Sequence, residues 1–158
     1  MQDGDVNVDN GRVVINGTVT QSVHVGQGSV IVNGTVDRDV TLGSGSVRVN
    51  GRVRMSVDSN HGPVQVSTTG IVGRDLRAAG ASLELLGNVG MSVQANDADV
   101  SIGEEAHVGR DLWAYGGSLL LNGNVGLSLN AKGTHVTLGP RSHVGRDVNV
   151  HGGSLSRT

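Results

Sequence analysis

Six histidines, at positions 24, 61, 107, 135, 143 and 151, are the residues of this 158-residue chain best suited to metal binding or proton transfer. His107 and His143 stand 36 positions apart, and the same interval separates Arg38, Arg74, Arg110 and Arg146, each followed by Asp. A metal site needs its imidazoles converged on one ion, and an anion site needs its guanidinium groups side by side. No Cys is present, so thiolate ligands, disulfides and thiol catalysis are excluded. Nor is there a nucleophile elbow, a phosphate loop or a zinc-type spacing. Whether any of these groups converge depends on the elements that carry them.

Those elements are strands. Gly (26) and Val (27) are far above ordinary usage, and no window has the i, i+3, i+4, i+7 spacing of an amphipathic helix. Taking Val6 as the origin of a unit, apolar residues fall at Val6, Val8, Val13, Ile15 and Val19, and recur at Val23, Val25, Val30, Val32 and Val36. Further units start at Val40, Val57, Leu76, Val93, Leu112, Leu129 and Val148, and are 17 or 19 residues long. Among these repeated positions in the eight full units only Ser59 is polar. A V-x-V pair is a short strand with two residues inward and one outward. Three such strands per unit, separated by Gly, Asn and Ser, predict one coil of a parallel β-solenoid. The expected architecture is all-β: a single three-sided solenoid domain over residues 1–158, in about nine coils. Asn-Gly at 16–17, 33–34, 50–51 and 122–123 marks one corner, where left-handed backbone angles are expected. Gly11, Gly28, Gly45, Gly62, Gly117 and Gly153 mark another.

Stacking at about 4.8 Å per coil decides the chemistry. His107 and His143 fall two coils apart with Asn124 between them, about 10 Å, too far to share a metal. The other histidines fall at outward or corner positions. One outward column reads Arg38, Met55, Arg74, Met91, Arg110, Leu127, Arg146; the next reads Asp39, Ser56, Asp75, Ser92, Asp111, Ser128, Asp147. Like charges are kept two coils apart and each Arg has an Asp beside it, which predicts a structural ladder rather than an anion site. No catalytic residue, metal site or cofactor is expected. A formal charge of −2 speaks against nucleic acid and anionic lipid, and no apolar run is long enough for a membrane helix.

The stretches "VNGTVDRDVTLGSGSVRVNGRV" and "VTLGPRSHVGRDVNVHGGSL" resemble the bactofilins and related polymer-forming β-helix proteins of bacterial cytoskeletons. The resemblance runs over nearly the whole chain. It implies a right-handed three-sided β-helix that joins end to end into filaments without nucleotide, and so a structural scaffold whose partner is another copy of itself. An N-terminus that opens "QDGDVNVD" after Met1 has no signal-peptide pattern, so a cytoplasmic location is expected, either for this chain or for a longer protein from which it is a domain.

Two alternative classes compete with this reading. A left-handed β-helix acyltransferase is suggested by "VSIGEEAHVGRDL" at 100–112, but inward residues would then recur every six, and here the intervals run 2, 5, 2, 4, 4. A passive adhesin-type surface would want regular Thr or aromatic arrays on one face. The chain's only Trp and Tyr, Trp113 and Tyr115, alternate with inward Leu112 and Ala114 and are expected outside, either covering neighbouring stems or making a lateral contact between rods. Val14, Ile31 and Leu120 are other apolar residues expected to face out. The ends are expected to be the polymerising surfaces, through Val6, Val8, Val148, Val150 and Leu155, with Arg157 at an inward position near one of them.

Overall fold

The structure, a computed structural model, describes residues 5–80 and 82–157. Every internal strand pairs in parallel with its equivalents in the coils before and after, which makes a β-solenoid whose coils begin at the predicted residues. Two faces of the rod form one 15-stranded sheet and the third face an 8-stranded sheet. The first face carries strands such as Leu76–Ala79 and Leu112–Tyr115, the second Ser82–Leu85 and Ser118–Leu121, and the third Asn88–Val89 and Asn124–Val125. The described part of the ninth coil supplies strands Val148–His151 and Ser154–Arg157 to the first two faces.

The inward residues stack over their own kind. On the second face Val66, Leu85, Ile102, Leu121 and Leu138 pair in sequence and are buried. In two coils a small first-face residue, Ala78 or Ala114, is accompanied by two leucines on the second face, Leu83 with Leu85 or Leu119 with Leu121, whereas Ala95 is accompanied by the smaller Val100 with Ile102. Ser59 lies between Leu42 and Ala78 in the first-face ladder, is buried, and its hydroxyl has no hydrogen-bond partner.

The corners differ from the sequence expectation in two ways. In the first three coils the strands of two faces do not break, but run through the corner as Val6–Ile15, Val23–Val32 and Val40–Val49. Gly11, Gly28 and Gly45 take φ of 133, 133 and 122° there, so the chain turns while its ladder pairing continues. Left-handed angles are confined to this first-to-second-face corner among the described residues, and the Asn-Gly corner has none. Glycine at the Asn-Gly corner answers a different need: a Cβ on Gly34 would sit 1.9 Å from the Gly17 carbonyl oxygen of the preceding coil. The Asn residues there form their own ladder, with Asn33 Nδ2 donating to Asn16 Oδ1 at 3.0 Å and Asn50 Nδ2 to Asn33 Oδ1 at 2.9 Å.

Register can be tested by truncation. Leu121→Ala is expected to cost about 2–5 kcal/mol in urea unfolding, and Leu120→Ala, which removes a side chain 41% exposed, well under 1 kcal/mol. Equal losses would mean the strand is turned over. Ser59→Ala removes an unsatisfied buried hydroxyl at almost constant volume and should raise stability by about 1 kcal/mol; a lower urea midpoint would show that the hydroxyl has a partner.

Candidate functional surfaces

The Arg and Asp columns are in the predicted register, and their bonds run along the rod. Arg74, Met91, Arg110, Leu127 and Arg146 each donate a backbone N–H to the column residue one coil before. Arg–Asp ion pairs do not form along these columns. Among the described residues the ion pairs are Arg54 with Asp37 at 3.2 Å and Arg141 with Glu104 at 3.4 Å, both elsewhere. Instead the half-buried Asp39, Asp75 and Asp111, and the exposed Asp5, reach forward and accept the backbone N–H of the Ser in the next coil. These bonds join Ser22 to Asp5 at 2.9 Å, Ser56 to Asp39 at 3.0 Å, Ser92 to Asp75 at 3.1 Å and Ser128 to Asp111 at 3.1 Å. The physical reason is geometric. At this corner the N–H of Ser points along the rod axis with no carbonyl to meet it, and a carboxylate is the strongest local acceptor. The Arg residues, left without this work, are exposed.

Histidine positions likewise follow the register. His107 pairs with Asn124 and Asn124 with His143, which puts the two imidazoles two coils apart on the third face. No group of three or more metal-ligating side chains converges among the described residues. One column missed by sequence reading reads Asp99, Ser118, His135, Ser154 along the second face. Ser118 Oγ donates to Asp99 Oδ1 at 2.9 Å, and Ser154 Oγ meets His135 Nδ1. These residue types are those of nucleophilic catalysis, but the carboxylate holds a serine rather than the imidazole, and Ser118 separates the two. The four residues stand one per coil along a largely exposed ladder.

The second face also carries a groove of about 330 Å³ beside Arg12, Ile31, Arg48, Pro63 and Gln65. Arg48 is already committed there, donating Nε and Nη2 to Gln65 Oε1 at 3.1 and 2.9 Å. On the first face Trp113 lies between Gln94 and Asn130, and Tyr115 between Asn96 and Lys132. Trp113 is 37% exposed; the two ring centroids are 6.4 Å apart with planes 26° from parallel.

The ends are the remaining surface. Val23 and Val40 are fully buried, yet their counterparts in the terminal coils are not: Val6, Val8 and Val150 are partly buried, Val148 is 38% exposed and Leu155 51%. Arg157 pairs with Leu138 and so occupies an inward column. His143–Val144 is the last strand of the third-face sheet among the described residues.

Fold and surface together define a parallel β-solenoid whose outer chemistry is arranged in columns. No protein-family model, curated protein or solved structure matches the chain. No helix of the described residues is long and apolar enough to cross a membrane.

The corner bond can be separated from charge pairing by paired variants. Asp111→Ala should lower stability by about 1 kcal/mol through the lost acceptor, while Arg110→Ala, exposed, should change it by a few tenths at most. Comparable losses in urea melts of the two variants would restore the ion-pair explanation.

Proposed function

We propose that this protein is a structural rod of the bactofilin type, which joins end to end into filaments without nucleotide, metal or enzymatic activity. The observation that carries the reading is the exposed layer of core side chains in the last coil, together with the half-buried Val6 and Val8 in the first. Val148 and Leu155 are exposed where every internal equivalent is buried, and the terminal strands have a ladder partner on one side only. Stacking a second copy would bury those side chains, at roughly 25 cal/mol per Å² of apolar surface, and continue the backbone ladder. The face-long columns support a passive scaffold, since they spread their polar groups at one per coil and do not converge them. Self-association, rather than binding to nucleic acid, agrees with a net charge of −2. The bactofilin assignment rests on repeat texture.

Negative-stain microscopy of the purified chain is expected to show filaments one coil wide in buffer containing chelator and no nucleotide. Val8→Asp or Leu155→Asp should leave the fold intact by circular dichroism and stop growth at monomers or single-junction dimers. Filaments of parental length from a protein carrying both substitutions would rule out end-to-end stacking.

A further inference from the structure

The first face carries a feature that a bare scaffold does not need. Thr41, Asp58, Arg77, Gln94 and Trp113 form one outward column, paired coil to coil. Along one side of this ridge, between it and the corner column containing Asp75, run two hollows of about 240 and 120 Å³ that share Asp75 and Arg77. The second ends against Trp113. Along the other side lies a hollow of about 240 Å³ that takes in Asp58, Arg77, Gln94 and Asn96. Gln94 and Asn96 pair with Trp113 and Tyr115, so the aromatic pair stands in the coil next to this hollow. From Thr41 to Trp113 the ridge spans four coil steps, about 19 Å.

We propose that this face binds a neutral polysaccharide, lying along the rod axis with one sugar ring packed against Trp113. Trp113 is 37% exposed and stacks with the half-buried Tyr115, which steadies a ring surface for the C–H face of a pyranose. The ridge then presents a carboxylate, a guanidinium and an amide, one per coil, in a spacing close to the length of one pyranose unit in an extended chain. Each of these planar groups can hold two neighbouring hydroxyls at once. Other occupants fit less well. The first-face strands of the second to eighth coils are paired on both sides, so a peptide cannot join as an added strand. Asp39, Asp58 and Asp75 outnumber Arg77 along the trough, which repels nucleic acid and acidic glycans. A second rod packed on Trp113 is the main rival.

Trp113 is the chain's only Trp, so its emission reports on the site without a label. Titration of the full chain with cellohexaose or chitohexaose should give a saturable emission change. Gln94→Ala, which keeps the reporter, should weaken binding about tenfold or more, and calorimetry should show a comparable loss for Trp113→Ala, with unchanged melting temperatures in both. The Leu155→Asp protein should bind as the parent does, which separates this site from end-to-end assembly. The proposal fails if neither sugar binds, if the two trough variants bind like the parent, or if a heparin hexasaccharide binds more tightly than the neutral sugars. It also fails if sugar binds only to filaments, or if Trp113 emission shifts with protein concentration alone, which would assign the aromatic pair to a second rod.

Discussion

Each coil lies in register on the one before it at about 4.8 Å, and this stacking dictates nearly everything else in the molecule. A side chain on such a rod has its own positional equivalent above and below, so each residue type must be compatible with itself as well as with its surroundings. Valine and leucine meet that condition by packing over one another in the interior. Glycine meets it at the corners, where the carbonyl of one coil lies too close to the next for a Cβ, as between Gly17 and Gly34. Asparagine meets it by being donor and acceptor at once, which is why Asn16, Asn33 and Asn50 form a continuous chain of bonds.

Charge cannot meet it, and the two-coil period of 36 residues is the solution. Asp alternates with Ser, so each carboxylate is two steps from the next and has a free backbone N–H in the intervening coil to accept from. The same alternation appears inside. On the second face Leu83, Val100, Leu119 and Val136 pair in order, large then small, so that adjacent layers interlock without overfilling. One repeat length thus serves electrostatics outside and volume inside.

Much of this was legible in the sequence because period 2 within a strand and 17 or 19 between strands leave few alternatives. The coil origins, the inward place of Leu85, Leu121 and Leu138, and the outward place of Trp113 between Gln94 and Asn130 all follow from counting. Counting says nothing about which way a corner N–H points, and so the bond from each Asp to the next coil's Ser is not legible in the sequence. Asn-Gly carries the usual turn signal, whereas the left-handed positions belong to the other corner, as at Gly11, Gly28 and Gly45, where a ladder bends without breaking. The troughs beside Arg77 were invisible for a related reason: a hollow arises from the relative heights of adjacent columns, and a residue list has no heights.

In-register stacking can be tested directly because the chain has no Cys of its own. Glu84 pairs with Ser101, and Ser101 with Leu120. Adjacent ladder partners stand about 4.8 Å apart and positions two coils apart about 10 Å, while a disulfide needs Cα atoms about 4.4–6.8 Å apart. Under mild oxidation at low protein concentration, Glu84→Cys with Ser101→Cys should form an intramolecular disulfide detected by mass spectrometry, and Glu84→Cys with Leu120→Cys should not. Equal cross-linking of the two pairs, or cross-linking of the second alone, would contradict the stacking on which every column in this structure depends.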